Sequence, residues 1–196
     1  MMKRKGEFYR KTSETDITVS IGLDGNGTSN LITPVPFFDH MLDLFAKHSG
    51  VDILVQATGD VQIDDHHLIE DMGICLGEAV KAALHDRVGI NRYGSAVIPM
   101  DEALCSATID ISGRSYLVYH APLQETRIGH FDASLLEEFL KAFVDHSAIT
   151  LHINVLYGKN THHIAEAIFK AFAHAFKEAI TFNQVSGVLS TKGHLD

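Results

Sequence analysis

The chain has 196 residues, 45% apolar and 21% charged, a balance that suits one large domain or two small fused ones with a real core. A net charge of −9 argues against wholesale nucleic-acid binding, and no apolar run reaches the 18 residues of a membrane span. The start, MMKRKGEFYR, lacks the apolar stretch of a leader, and the two well-separated cysteines, Cys75 and Cys105, predict free buried thiols in a cytoplasmic protein.

In chain order, the first predicted element lies in ETDITVSIGLDG (14–25), where Ile17, Val19, Ile21 and Leu23 alternate as in a half-buried antiparallel strand. Next, FFDHMLDLFAKHSGVDILVQA (37–57) opens with Phe38, Met41, Leu42 and Phe45 at i, i+3, i+4 and i+7, one apolar face of a helix. It closes with a run of strand character, VDILVQA. A polar stretch, GDVQIDD, leads into the His-His pair and a second helix expected from about Glu70 to His85. GINRYG (89–94) reads as a hinge.

The same series then recurs. EALCSATIDISG (102–113) lies over residues 14–25, with Cys105, Ala107, Ile109 and Ile111 alternating. LLEEFLKAFVDHSAITLHINV (135–155) lies over residues 37–57, with Leu136, Phe139, Leu140 and Phe143 on one face and His146-Ser147 over His48-Ser49. After YGKNT comes the second His-His pair and a helix expected from about Ile164 to Ile180. The pattern predicts an α+β fold with an internally duplicated unit: two sheets, each with helices on one face, in a single compact chain. The repeats are expected at 1–93 and 94–196, integrated into one domain.

The chemistry gathers where the pattern H-H-x-x-E occurs twice, in DDHHLIED (64–71) and NTHHIAEA (160–167). On a helix Glu70 stands over His66, while His67 points about 100° away, so adjacent imidazoles suit two ions rather than one. Imidazole mixed with carboxylate fits manganese, iron or zinc better than calcium or magnesium, and the share of oxygen donors tilts the choice to manganese. The 13 histidines of the chain point weakly the same way. His40, in FDHM, lies between the core positions of its helix.

Together PFFDHML, GDVQIDDHHLIED, GINRYG, PMDEAL, DISGRSYL, GKNTHHIAEAIFKAFA and STKG resemble the imidazoleglycerol-phosphate dehydratase family, from about Glu14 to Gly193. The family belongs to histidine biosynthesis, and the absence of a fused phosphatase suggests its monofunctional form. The resemblance implies a hydro-lyase that converts imidazole glycerol phosphate to imidazole acetol phosphate through a metal-bound imidazolate, with two Mn2+ per chain. It implies His40, His66, His67, Glu70, His162, His163 and Glu166 as metal ligands. Glu14 would face the substrate as candidate base, with His48 bordering the pocket. Arg92, Arg114, Lys170, Ser190 and Lys192 would bind the anion. Glu14, His48, Glu70 and Glu166 are the catalytic candidates, and the ligands His40, His66 and His162 would also line the substrate. The resemblance further implies a homo-oligomer of 24 chains built from trimers, with metal ligands shared between chains. STKG stands where SSKG is more usual, and the Ser190 hydroxyl is kept.

Position 138, His in many members and Glu in others, is Glu here. In the repeat Glu138 lies over His40, so Glu138 is expected to be the ligand in one site that His40 is in the other. Fixed cations for a phosphate follow from Arg as a planar fork and Lys as a point charge. A binuclear metallohydrolase acting on a phosphorylated substrate, or a metal-storing or metal-sensing assembly, would use similar residues.

Overall fold

The computed structural model describes residues 4–123, 126–183, 187–193 and 195. Met1, Met2 and Lys3 of the start lie outside them. The first half runs β1 (Lys5–Lys11), β2 (Thr15–Gly22), β3 (Ser29–Ile32), α1 (Pro36–Ser49), β4 (Asp52–Gly59) and α2 (His66–Leu84). The second runs β5 (Tyr93–Met100), β6 (Ala103–Asp110), β7 (Tyr116–His120), the short pair β8 (Arg127–Ile128) and β9 (Phe131–Asp132), α3 (Leu135–Ser147), β10 (Thr150–Tyr157) and α4 (Thr161–Ile180).

Two four-stranded sheets result, ordered β1-β2-β4-β3 and β5-β6-β10-β7. In both, the first three strands pair antiparallel and the last pairs parallel. The registers agree as well: Phe8 faces Val19 and Arg10 faces Ile17, while 88 residues on Ala96 faces Ala107 and Ile98 faces Cys105. Both sheets are half-buried, with Ile17, Val19 and Ile21 inward in one and Cys105, Ala107 and Ile109 inward in the other. Burial pushes both thiols, which are free, up to about 12.

Strand β1 is not visible in the hydrophobic pattern. Its inward positions carry Gly6, Phe8 and Arg10, so one apolar residue marks that face. Gly6 is needed because the strand passes directly under α2: a Cβ there would lie 1.8 Å from the Ala79 carbonyl oxygen. Gly94 repeats this under α4, where a Cβ would lie 2.0 Å from the Ala175 oxygen.

The helices cross between the halves. α2 lies on β1 and β2 and α4 on β5 and β6, but α1 packs on α4 and α3 on α2. Phe38 of α1, Phe139 of α3 and Phe169 of α4 meet with centroids 4.8–6.0 Å apart, so one aromatic core joins both halves. α1 opens on Pro36, whose fixed φ suits a first turn, and stops at Gly50, which has φ 80 and donates its N–H to Ala46 O. α2 begins at His66 rather than Glu70, because the Asp64 carboxylate accepts the His66 N–H. α4 begins at Thr161, since the Asn160 side chain caps the N–H groups of both His162 and His163. Both His-His pairs therefore sit in the first turn of a helix.

Candidate metal centre and its surroundings

The swapped packing brings His40 on α1 to the N-terminal turn of α4. His40, His162 and Glu166 each offer a donor atom, and the three atoms lie within 4.8 Å of one another, a grouping among the described residues. His40 Nε2 is 3.4 Å and His162 Nε2 3.2 Å from Glu166 Oε1, while Lys170 Nζ donates to Glu166 Oε2 at 2.6 Å. Burial pushes the Glu166 carboxyl up, but the bonds from Lys170, His40 and His162 outweigh it and hold it below the usual value. A carboxylate anionic at neutral pH between two imidazole nitrogens fits a divalent ion of the manganese-to-zinc kind.

The second imidazole of each pair is held differently. The rings of His66 and His67 are 6.2 Å apart at 89°, and those of His162 and His163 are 6.4 Å apart at 86°. These near-right angles turn the two imidazoles of each pair in different directions. His67 Nδ1 lies 3.0 Å from Asp60 Oδ2, and His163 Nδ1 lies 2.6 Å from Glu102 Oε2. Bonding to these carboxylates raises both histidines. Glu102 in turn falls to about 2, chiefly through His163 and then through the Asn160 N–H. A carboxylate on Nδ1 fixes the ring and leaves Nε2 as the donor toward a metal, a common support for ligating imidazole. Neither Asp60 nor Glu102 was singled out from the sequence, because neither falls inside the H-H-x-x-E pattern.

At the start of α2, His66 Nε2 lies 3.8 Å from Glu70 Oε2, the i, i+4 relation expected. Glu138 stands exposed in the first turn of α3, the helix that packs on α2. His66, Glu70 and Glu138 are thus on the elements that correspond to those of His162, Glu166 and His40.

Further along α4, His162, Glu166, Lys170 and His174 share one stripe at four-residue spacing. His174 answers His48 of α1, with His48 Nδ1 3.2 Å from His174 Nε2. Burial lowers the His48 value, and His174 and Lys170 lower it further. His174 escaped the sequence reading, though the 162/166/170/174 spacing marks it. The counterpart pair in the other half is His146 with Glu78, at 2.9 Å.

The expected anion-binding residues form a separate group. Arg92, Arg114, Ser190 and Lys192 line one cavity of about 620 Å³ with Tyr93 and Leu189. Arg92 is held by Asp110, with Nε to Oδ1 at 2.6 Å and Nη2 to Oδ2 at 3.0 Å, and its Nη1 donates to Leu189 O at 2.5 Å. That last bond ties down the segment carrying Ser190 and Lys192. Lys170 is not in this group; it is engaged with Glu166 and Met100. Glu14 is exposed, in the turn between β1 and β2, and close enough to His67 to act on its charge.

Comparison with known proteins follows the same lines. Residues 33–176 match the family Imidazoleglycerol-phosphate dehydratase. The imidazoleglycerol-phosphate dehydratase of Syntrophus aciditrophicus is 57% identical over all of this chain and all of that protein. That of Geobacter sulfurreducens is 52% identical over 99% of this chain and all of that protein. The crystal structure of the Staphylococcus aureus enzyme superposes with a TM-score of 0.83 at 41% identity, covering 91% of this chain and 99% of that one. The Pyrococcus furiosus enzyme in complex with (S)-C348 gives 0.83 at 39% identity, covering 96% and 100%.

Proposed function

The chain belongs to the imidazoleglycerol-phosphate dehydratase family, a hydro-lyase family of histidine biosynthesis, and from that premise we propose how its residues carry out the dehydration. The substrate is D-erythro-imidazole glycerol phosphate and the product imidazole acetol phosphate. A proton leaves one carbon and a hydroxyl leaves its neighbour. Neither departure is easy at an ordinary alcohol, so the imidazole ring must take part.

Two manganese ions are the proposed cofactor. His40, His162 and Glu166 would contribute to one, and His66, Glu70 and Glu138 to the other, with His163 and His67 each serving a different ion from the one its neighbour in the pair serves. Bound there, the ions would supply the Lewis acidity that lets a coordinated imidazole shed its N–H near neutral pH. Asp60 and Glu102 hold the imidazoles of His67 and His163 in position for this. Glu14 is the proposed base for the C–H proton, a role typically worth roughly 10²- to 10⁴-fold. Its nearness to His67 supports that reading. His48 borders the same pocket. Arg92, Arg114, Ser190 and Lys192 would hold the phosphate, with Arg supplying the planar fork and Lys the point charge. Lys170, engaged with Glu166 and Met100, would act beside the metal rather than in this cavity.

The chain is further proposed to work in the cytoplasm as a shell of 24 copies built from trimers. Exposed large side chains on the second sheet, Tyr93, Val97, Tyr116, Leu156 and Tyr157, support burial against other copies. No helix among the described residues is long and apolar enough to cross a membrane. The repeats are read as 1–93 and 94–196, a division one residue into β5.

The observation that carries the proposal is the meeting of His40 from α1 with His162 and Glu166 from α4. Metal counting on Glu166→Gln tests it. The expected result is loss of about half the bound manganese together with turnover. Full metal content in that variant would remove the basis for the site.

A further inference from the structure

Glu14 and Glu102 hold the same place in the two halves, in the turns that join β1 to β2 and β5 to β6. They do different things. Glu102 accepts the N–H groups of Lys159 at 3.2 Å and Asn160 at 2.7 Å and holds His163 Nδ1 at 2.6 Å. In the first half Asp60 has taken over the imidazole, and among the described residues no group hydrogen-bonds the Glu14 carboxylate. The backbone of Glu14 is nevertheless fixed. Its N–H donates to Thr12 Oγ1 at 3.0 Å, and its carbonyl accepts the Asp60 N–H at 3.1 Å.

Thr12 is itself the end of a chain of polar groups. Its Oγ1 also accepts the Thr15 N–H at 3.0 Å and lies 3.2 Å from Thr15 Oγ1. Thr15 Oγ1 donates to Asp71 Oδ2 at 2.5 Å, and Asp71 Oδ1 accepts from Arg10 Nε at 2.9 Å. The direction of every bond follows from the inventory of protons. A carboxylate only accepts, so the Thr15 proton points to Asp71. Thr15 has no second proton, so the Thr12 hydroxyl must donate to Thr15. The lone pairs of Thr12 are then turned to the two backbone N–H groups of the turn. Thr15 is 4% and Asp71 7% exposed, so the far end of this chain is dry and its polar bonds are strengthened.

The second half serves as an internal control. At the positions of Arg10, Thr12 and Thr15 it carries Ile98, Met100 and Ala103, and at that of Asp71 it carries Ala167. Ala103 and Ala167 are buried, and Ile98 and Met100 pack on the core. The β1–β2 and β5–β6 hairpins share one register, although β10 carries a bulge at Val155/Tyr157 that β4 lacks, so the hairpin itself does not require the polar set. A buried carboxylate carries a desolvation cost that apolar residues of similar volume avoid. What sets the first half apart is that the carboxylate of its turn is not held by hydrogen bonds among the described residues, as Glu102 is.

We infer that Asp71 is a positioning residue for Glu14, acting through Thr15 and Thr12, with Arg10 holding Asp71 in place. This rests on the reading of Glu14 as the base. The chain orders the turn so that the carboxylate is presented at one place, and small misplacements of a reacting group are costly, about 10²-fold for 1 Å.

The test compares Glu14→Gln, Thr15→Val, Thr15→Ser and the triple variant Arg10→Ile/Thr15→Ala/Asp71→Ala, which installs the residues of the second half. Turnover, KM, bound manganese and melting temperature are measured on the assembled enzyme. Glu14→Gln should lose on the order of 10²-fold or more in kcat. The triple variant and Thr15→Val should fold, keep KM and manganese, and lose on the order of 10- to 100-fold in kcat. Thr15→Ser keeps the hydroxyl and should keep most turnover. If Glu14→Gln is inactive while Thr15→Val and the triple variant turn over normally, the positioning role is wrong and the base stands. Normal turnover in Glu14→Gln would overturn both. Should the triple variant not fold, the Thr15→Val and Thr15→Ser pair decides: equal kcat in the two refutes the chain.

Discussion

Replacing Gly94 by alanine should disturb the metal centre from the far side of α4. A Cβ at this position would lie 2.0 Å from Ala175 O, 2.8 Å from Ala179 N and 3.0 Å from Ala175 C. All three are backbone atoms of α4, so no flexible side chain can yield. Real Cβ contacts essentially never fall under 3.0 Å, which requires α4 to lift by about 1 Å from β5. Overpacking of this kind costs about 1–3 kcal/mol. For a chain of this length each kcal/mol lowers Tm by roughly 2–4 °C, giving a fall of about 2–12 °C. α4 also carries Glu166, 3.4 Å from His40 Nε2, and His174, 3.2 Å from His48 Nδ1. A shift of about 1 Å is large against a metal–ligand bond of about 2.0–2.2 Å. The rise in Tm that manganese confers should therefore shrink in Gly94→Ala. Gly129→Ala is the control. Its φ is +62 with nothing within 4 Å, so the variant should lose about 1–2 kcal/mol from backbone strain alone and keep the full manganese shift. Thermal unfolding with and without manganese measures both. A native Tm in Gly94→Ala would refute the close approach. A lowered Tm with an undiminished manganese shift would refute the claim that the seat of α4 sets the cluster.

Other substitutions probe the remaining groups. Glu138→Ala should lower bound manganese to about half and abolish most turnover, while Glu138→His should largely keep both and favour softer metals; full occupancy in Glu138→Ala would show that the symmetry with His40 fails. Lys192→Ala should raise KM and leave metal content intact, so metal loss there would assign its segment a structural role. His48 titrates below its usual value of 6.5. The unfolded chain therefore binds more protons than the folded one between that lowered value and 6.5. In metal-free protein this contribution is neutral above about 6.5, subtracts from stability as pH falls through that window, and levels off below it. His48→Gln should flatten that part of a urea-unfolding profile, and an unchanged slope would contradict the assignment.

The reach of the sequence differed by element. α1 and α3 were legible because Phe38, Met41, Leu42 and Phe45, and their counterparts in α3, mark one face each. Those faces announce burial but not the partner, and so the crossing of α1 to α4 and α3 to α2 was invisible. β1 was hidden because its inward side carries a glycine forced by the helix above it and an arginine paired to Asp71. The doubled H-H-x-x-E pattern marked the i, i+4 pairs, but the helices begin earlier than expected, at His66 and Thr161. Asp60, Glu102 and Asp71 needed tertiary contacts, since each acts on a residue distant in sequence or out of phase with the motif. Of the residues expected to bind the anion, Arg92, Arg114, Ser190 and Lys192 line one cavity and Lys170 does not; the bond from Arg92 to Leu189 was not legible in the sequence.

The central claim is a metal-dependent loss of water from imidazole glycerol phosphate. The most direct measurement takes chelator-stripped protein, reloads it with manganese, and follows both the enol absorbance of the product in alkali and free phosphate. The account predicts negligible product from the stripped protein, recovery of the enol signal on reloading, and no phosphate release in either state. Full turnover in verified metal-free protein, or phosphate released in place of product, would contradict it.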